Sequence, residues 1–250
     1  MWLIANYHPA SLFSFKNIRA TGSGATTLIC PTPFAVKSAL VDCAIKWQGI
    51  DYGRDVFNKI RASEIRFKLP DICIVNKTII RIFNIDNRYL WVKNEYGKNV
   101  LATDDYGNYI TDNPVKPAFR EFVYFKGTLS IAIDVSNLDD DFKSEIRELF
   151  SQINHFGKKD SFMQFISAEE VSELDETFLQ RMDGGGEIKV GKHNFLLTVE
   201  DTNESITFEQ INVFDSTAKL DRTEQMGHYY LLVPAQEIIS GKRYKYIRIR

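Results

Sequence analysis

A short turn in the second half of the chain combines residue types that suit phosphate. It reads Gly157-Lys158-Lys159-Asp160-Ser161 and lies where a predicted helix ends and a predicted strand begins. Small residues with concentrated positive charge fit the phosphate groups of a nucleic-acid backbone. The turn therefore makes nucleic acid the first partner to consider.

The charge of the 250-residue chain is unevenly distributed. Residues 1–100 hold 14 Lys and Arg against 7 Asp and Glu, whereas residues 101–250 hold 17 against 26. This separation favours one surface that meets a polyanion and another that meets protein. Basic residues that merely solvate strands and helices are the alternative.

Catalytic and metal-binding motifs are weak in this sequence. The segment from Gly186 to Lys192 fits the pattern GxxxxGK, but His193 stands where Ser or Thr would hold magnesium, so we interpret it as a coincidence. The four histidines and three cysteines show no metal-ligand spacing, and no GxSxG-type nucleophile setting is present. We expect no cofactor, no metal, and reduced structural thiols.

Membrane and secretion signals are also missing from the sequence. No run of about 18 uncharged apolar residues occurs, which excludes a helical membrane span. The first residues, MWLIANYHP, lack the basic head and long apolar run of a secretory signal. We therefore expect a cytoplasmic protein with no membrane partner.

The elements that must position the turn alternate between strands and helices. A central strand at 2–7 precedes a helix from Phe34, with Thr32 as its cap, and a shorter helix at 54–62. Strand-like residues at 64–84 lead to a hairpin that turns at Tyr96-Gly97. The strand 119–125 then turns at Lys126-Gly127 into the strand 129–135.

An amphipathic helix and a third strand follow. Ser136 or Asn137 is expected to cap this helix and Gly157 to end it, and its apolar stripe comprises Phe142, Ile146, Leu149, Phe150 and Ile153. The strand after it covers 161–166. Further strands are expected at 194–200, 206–211, 229–233 and 244–249.

This order of elements matches the ferredoxin-like split βαβ fold. We expect an α+β protein with a ferredoxin-like, RRM-like domain over residues 1–166 and an inserted β-hairpin at about 76–118. A mostly β C-terminal part, residues 167–250, would pack on that domain. The aromatic RNP signature is missing, so a standard RNA recognition motif is not supported.

Three segments resemble the RAMP proteins of CRISPR systems. They are CPTPFAVKSALVDCAI, FREFVYFKGTLSIAIDV and INHFGKKDSFMQF, within residues 1–166. Within the RAMP proteins they are most similar to the Cas five family, the type I Cascade subunit that caps the 5′ end of the CRISPR RNA. One departure is Asp160, where relatives tend to show a glycine; it favours a purely structural turn as the alternative to a phosphate contact.

The resemblance implies a ferredoxin-like body that grips the 5′ handle of the guide RNA. It also implies that the hairpin at 76–118 is a thumb, which divides the handle from the segment that pairs with target DNA. The implied partners are therefore the CRISPR guide RNA, target DNA near the handle-proximal end, the backbone RAMP subunits and the large subunit of Cascade.

On this resemblance, basic side chains contact RNA phosphates and aromatic side chains stack on bases. Lys37, one turn into the first helix, could reach a handle phosphate beside the free amides of the helix start. The expected RNA-binding residues are Lys16, Arg19, Lys37, Arg81, Arg88, Tyr89, Trp91, Arg120, Lys158, Lys159 and Ser161, with Lys93, Tyr96 and Lys98 as further thumb candidates. Each basic residue has a solvated charge as its alternative, and Trp91 has a core position.

We expect the protein to be non-catalytic. The alternative is a metal-independent endoribonuclease that processes CRISPR repeat RNA, because some relatives cut RNA through a general acid–base set of Tyr, His and Lys. His155, beside Lys158 and Lys159, is the cluster that fits this alternative. A histidine that interacts with a helix end is the structural interpretation, and an assembly module that binds only protein is a third possibility.

Overall fold

The computed structural model of the chain describes residues 1–17, 24–83, 91–110, 115–182, 193–203, 205–220 and 226–250. The helices in these ranges are α1 (Pro33–Gln48), α2 (Ile50–Ile60), α3 (Asp140–Gln152) and α4 (Phe208–Ile211). The strands are β1 (Trp2–Pro9), β2 (Phe15–Lys16), β3 (Gly24–Ala25), β4 (Thr27–Leu28), β5 (Ile65–Lys68), β6 (Ile72–Phe83), β7 (Trp91–Lys93), β8 (Asn99–Leu101), β9 (Val115–Lys126), β10 (Leu129–Asp134), β11 (Met163–Val171), β12 (Gln180–Met182), β13 (Asn194–Thr202), β14 (Met226–Ser240) and β15 (Tyr244–Ile249).

A four-stranded antiparallel sheet forms the first layer. Its strand order is β11-β1-β10-β5, so the first strand of the chain is central, as predicted. Helices α1 and α2 lie between β1 and β5 in sequence, and α3 lies between β10 and β11. Leu3, Ala5 and Tyr7 alternate along β1 toward the buried side.

Cap chemistry explains where the two long helices begin. The Thr32 hydroxyl accepts a hydrogen bond from the Ala35 amide at 3.2 Å, with Pro33 at the first helical position, as predicted. In α3 the cap is Asp139, whose Oδ1 accepts from the Phe142 amide at 2.8 Å. The predicted caps Ser136 and Asn137 are therefore wrong.

The apolar stripe of α3 is confirmed, whereas its predicted end is wrong. Phe142, Ile146, Leu149 and Phe150 are all buried. The helix stops at Gln152, well before Gly157. The turn around Gly157 is thus a separate feature.

A larger sheet of seven strands forms the second layer. Its order is β12-β14-β15-β6-β9-β3, and β13 pairs with β14 on the side. The long antiparallel pair of β6 and β9 runs from Ile72 opposite Lys126 to Phe83 opposite Val115. Strand β15 pairs with β6 only over Ile72–Asn76. The rest of the β6–β9 pair, from residue 77 of β6 onward, therefore extends beyond β15.

We call residues 77–83, 91–110 and 115–121 the arm. Within it, β7 pairs antiparallel with β8, and the predicted reversal at Tyr96-Gly97 is confirmed. Gly97 adopts a φ of +70° in this turn, a conformation that favours glycine. At the root of the arm, β3 runs parallel to β9, with Gly24 opposite Phe119 and Ala25 opposite Arg120.

Two strand arrangements were not foreseen from the sequence. The turn at Lys126-Gly127 is observed, but the two strands it joins do not pair with each other: β9 pairs with β6, and β10 pairs with β1 and β5. Gly127, with a φ of +120°, connects the two sheets. The strand-like stretch 64–84 is likewise two strands, β5 and β6, which belong to different sheets.

The last third of the chain is mostly β, as predicted, with one exception. Residues 206–211 were expected to be a strand but contain α4, which begins with a capping box between Thr207 and Gln210. Strands β13 and β15 begin where predicted, and β14 is longer than predicted. The GxxxxGK segment lies outside the described residues.

One hydrophobic core serves both sheets. It includes Leu3 and Val75 from the two sheets, Leu40 from α1 and Leu149 from α3. Residue 166 falls within β11, and β14 and β15 share their sheet with β6 and β9. The fold is therefore mixed α/β and rich in strands, and within the described ranges no helix is long and apolar enough to cross a membrane.

Candidate nucleic-acid interface

The turn that carries Lys158 and Lys159 packs closely on an early loop. Gly157 has a φ of +76°, and a Cβ there would lie 2.7 Å from Cε2 of Phe15. The Ser11 hydroxyl donates to the Asp160 carbonyl at 2.7 Å and accepts from the Phe162 amide at 2.7 Å. These contacts fix the turn and leave both lysines exposed.

Ser161 does not face solvent. It is only 1% exposed, and its hydroxyl accepts a hydrogen bond from the Ser14 amide at 3.1 Å. The expectation that Ser161 contacts RNA is therefore corrected: the residue supports the turn from inside. Asp160 is exposed beside the lysines and reduces the local positive charge.

The same early loop reaches the root of the arm. The Ser14 hydroxyl donates to the Glu121 carbonyl at 3.0 Å, and the Thr27 amide donates to the Glu121 carboxylate at 3.0 Å. Lys16 is exposed on β2, and Arg120 is half-buried on β9. A continuous path of contacts thus links the elements that carry four predicted residues, which we call the cationic edge: Lys16, Arg120, Lys158 and Lys159.

Lys37 is a structural residue, which contradicts its predicted contact with a phosphate. It is 1% exposed, and its Nζ lies 2.8 Å from Asp201 Oδ1 and 2.8 Å from the Arg61 carbonyl oxygen. Burial lowers the pKa of Lys37 against the opposing effect of Asp201, and burial raises the pKa of Asp201. The Lys37 amino group therefore makes its hydrogen bonds inside the protein and not with an external phosphate.

A signal in the sequence could have identified the burial of Lys37. Its helix neighbours Val36, Leu40 and Val41 are all buried. A lysine inside such an apolar stripe requires an acidic partner, because an unpaired buried charge is costly. Asp201 lies 164 residues away, so the sequence does not name the partner.

The arm presents the predicted aromatic and basic side chains to solvent. Trp91 is 60% exposed, which excludes the core position considered for it, and Tyr96 is 79% exposed. Arg81, Lys93 and Lys98 are exposed as well. The predicted residues Arg19, Arg88 and Tyr89 lie outside the described residues.

Sequence reasoning missed a cleft at the root of the arm. It has a volume of about 330 Å³ and is lined by Lys77, Thr78, Ile79, Phe119, Lys242 and Arg243. The Nζ of Lys77 lies 5.2 Å from the ring centroid of Phe119, a cation–π distance. The cleft forms because β15 pairs with β6, an arrangement that local sequence patterns do not reveal.

His155 lies beyond the end of α3, next to the cationic edge. Its Nδ1 is 2.7 Å from Asn154 Oδ1, and its backbone bridges to Phe162. Burial lowers the pKa of His155, and the charges of Lys46 and Lys159 act in the same direction, while Asp42 opposes them. The neutral imidazole is therefore favoured.

The three cysteine thiols are buried inside the protein. Cys30, Cys43 and Cys73 are free and buried, and burial raises the pKa of each thiol. Across the described ranges, no three His, Cys, Asp or Glu side chains are grouped so that they could hold a metal ion.

Comparison with known proteins points to CRISPR systems. No family model matches the chain. Over 252 residues it is 23% identical to a protein of Archaeoglobus fulgidus named CRISPR-associated protein Cas5, and the alignment covers 100% of this chain and 99% of that protein. The resemblance to the Cas five family, drawn from residues 1–166, is therefore confirmed, and the alignment extends the similarity to the rest of the chain.

Two solved structures are also similar. A crystal structure of a CRISPR protein from Archaeoglobus fulgidus matches with a TM-score of 0.40 and 10% identity, covering 100% of this chain and 92% of that one. A chain of a CRISPR RNA-guided surveillance complex matches with a TM-score of 0.46 and 11% identity, covering 94% of this chain and 90% of that one.

Proposed function

We propose that this chain is a non-catalytic, RNA-binding subunit of a type I Cascade effector complex, which grips and caps the 5′ handle of the guide RNA. The observation that carries the proposal is the full-length similarity to a CRISPR-associated Cas5 protein. The cationic edge and the exposed arm supply a surface for the RNA.

The fold supports this proposal through its strand order. In the order β11-β1-β10-β5, with α1 and α2 in one connection and α3 in the other, we interpret the four-stranded layer as a ferredoxin-like RAMP body. The arm, inserted between β5 and β10, takes the place of the thumb. Phosphates of the handle would meet Lys16, Lys158, Lys159 and Arg120.

Further partners follow from the same proposal. The arm would separate the handle from the part of the guide that pairs with target DNA. The neighbouring backbone RAMP subunits and the large subunit would contact other surfaces of the chain. These partners are components of the proposed assembly.

Charge reversal on the cationic edge tests the proposal. In the assembled complex, Lys158→Glu/Lys159→Glu and Arg120→Glu should each reduce the amount of guide RNA that copurifies. Each lost phosphate contact should also reduce the slope of log binding constant against log salt concentration by about 0.7. The control is Lys219→Glu, a charge reversal at an exposed lysine after α4. Unchanged guide retention in both edge variants would overturn the proposed site.

The endoribonuclease alternative has one observation in its favour. Burial, with a smaller contribution from the charges of Lys46 and Lys159, lowers the pKa of His155 and favours the neutral imidazole, which is the form that a general base requires. The test is incubation of the purified chain with labelled repeat RNA in the presence of a chelator. Specific cleavage that disappears in His155→Ala would replace the non-catalytic proposal, whereas intact RNA would support it.

A further inference from the structure

The outward face of the seven-stranded sheet carries aromatic side chains in ordered rows. Directly paired residues on neighbouring strands point to the same face of a sheet. In one row, Tyr246 of β15 pairs with Ile74 of β6, which pairs with Tyr124 of β9. In the next row, Tyr244 pairs with Asn76, which pairs with Phe122.

Basic residues flank these rows on both sides. One outer row places Arg248 and Lys126 on either side of Ile72. The opposite outer row pairs Thr78 with Arg120. Successive rows lie about 6.7 Å apart along the strands, so cations lie within two rows of every ring. These paired positions contain no acidic residue.

The face is open to solvent, whereas the reverse side of the same strands is core. Tyr124 is 49% exposed and Tyr244 is 46% exposed, with Phe122 and Tyr246 half-buried. The alternate residues of these strands are buried, among them Cys73, Val75, Val123, Phe125 and Ile247. The exposed rings therefore lie on a rigid support.

The outward face of the four-stranded sheet is partly covered by the residues that the structure describes. Its outward face carries Ile4 and Ala132, which pack against Phe178 from the segment after β11. Beside them, Ser130 donates a hydrogen bond to Asn6 at 2.6 Å. Exposed rings in ordered rows are thus a feature of the second sheet.

We propose that this surface, the ring platform of Phe122, Tyr124, Tyr244 and Tyr246, binds single-stranded nucleic acid. Bases stack on the exposed rings, and Arg120, Lys126 and Arg248 neutralise the phosphates on either side. Base stacking on aromatic side chains tolerates any sequence, and flanking cations track the backbone. Two rows of rings flanked by cations, without carboxylates at the paired positions, complement a polyanion with flat bases.

The ring platform goes beyond the proposed grip on the guide handle, since it requires no particular RNA sequence. It shares only Arg120 with the cationic edge. Guide RNA and displaced target DNA both provide single strands, so the chemistry alone allows either source. The experiment below separates the two.

The test measures fluorescence anisotropy of the full-length chain with labelled oligouridine and oligothymidine of about 12 nucleotides, a length within the site sizes of known single-strand binders. The wild type should bind a single strand more tightly than a duplex of equal length. Tyr124→Ala and Tyr244→Ala should each weaken binding by about tenfold. Tyr124→Phe, which keeps the ring, should bind like the wild type.

Phe214→Ala provides the matched control, because Phe214 is an exposed aromatic residue outside the ring platform. Circular dichroism confirms that each variant is folded. Preference for oligouridine would assign the platform to RNA, and preference for oligothymidine would assign it to DNA; either supports the proposal.

Three results would overturn the ring platform. They are absence of single-strand binding by the wild type, equal binding of the duplex, or alanine variants that bind oligonucleotides like the wild type. Loss of a protein subunit from the complex in Tyr124→Ala, with oligonucleotide binding unchanged, would identify a protein interface instead. Guide retention in Lys158→Glu/Lys159→Glu is measured separately, so failure of one proposal does not imply failure of the other.

Discussion

The Nζ of Lys37 on α1 lies 2.8 Å from Oδ1 of Asp201 on β13, although 164 residues separate them in sequence. The pair is shielded from solvent, with side chains only 2% and 12% exposed. The Thr202 hydroxyl and the Arg61 carbonyl complete the site around the amino group. This ion pair fastens the last third of the chain to the first helix.

Removal of one partner of this ion pair should destabilise the protein strongly. Lys37→Met leaves the Asp201 carboxylate buried without its cation, which costs about 3–5 kcal/mol. Urea unfolding followed by circular dichroism measures the loss. Lys46→Met on the same helix is the matched control, because its exposed pair with Asp42 should contribute less than about 1 kcal/mol.

A double variant sharpens this test. Lys37→Met/Asp201→Leu removes both charges and should recover much of the lost stability, since apolar residues can replace a buried ion pair. Equal unfolding free energies for Lys37→Met and Lys46→Met would contradict the structural role of Lys37.

Gly157→Ala should destabilise the turn that carries Lys158 and Lys159. An alanine there meets both an unfavourable φ of +76° and the ring of Phe15 at 2.7 Å, and together these cost about 1–3 kcal/mol. The control is Gly97→Ala, with a similar φ of +70° but no atom within 4 Å of the added Cβ. The difference in thermal midpoint between the variants isolates the contact with Phe15.

A second substitution, at Phe15, tests whether this contact causes the loss of stability. Phe15→Leu should restore part of the stability lost in Gly157→Ala, because a smaller side chain leaves room for the methyl group. A rescue that is equally large for Gly97→Ala would show that the effect is not local.

The arm should be dispensable for folding. Ile79 and Phe119 are direct partners across β6 and β9, so a two-residue Asn-Gly turn can join them in place of residues 80–118. Because changes of loop length cost little, the free energy of unfolding should change by no more than about 1 kcal/mol. Calorimetry of the shortened chain checks this, and a chain that no longer unfolds cooperatively would contradict it.

His155 should make stability fall toward acidic pH. Its pKa is lower in the folded protein than its ordinary value near 6.5, with burial as the main cause. The unfolded chain therefore binds the proton more readily, so stability is lost as the pH falls from the ordinary pKa through the folded pKa.

The corresponding measurement compares urea unfolding of the wild type and His155→Gln at pH 7 and pH 5. The wild type should lose more stability than the variant over this interval. His8→Gln, at an exposed position of β1, corrects for removal of an imidazole elsewhere. Equal losses in wild type and His155→Gln would show that the ring is not perturbed.

Local patterns in the sequence predicted the elements that depend on neighbouring residues. The Thr32 cap and the apolar stripe of α3 follow from interactions within a few residues, and both are observed. The bounds of β15, with its alternating Tyr244, Tyr246 and Arg248, are also as predicted. Short-range hydrogen bonding and side-chain periodicity are sufficient for such features.

Pairing between distant strands escaped prediction because no local pattern specifies a partner. Strands β9 and β10 are adjacent in sequence, yet Gly127 directs them into different sheets. From the sequence alone, Lys37 is expected to be an exposed cation on a helix. Only the folded structure places Asp201 beside it. Lys16, Lys158 and Lys159 remain candidate contacts, whereas Lys37 and Ser161 do not, because burial depends on the whole fold.

The late strand β15 lies between β14 and β6 in the finished sheet. During synthesis, β6 emerges from the ribosome long before β15. The edge of β6 that later pairs with β15 therefore remains unpaired while the intervening chain is synthesised. An unsatisfied strand edge is prone to pair with other chains. Chaperones that shield nascent strand edges should therefore affect the yield of this protein more than the modest length of its chain would indicate.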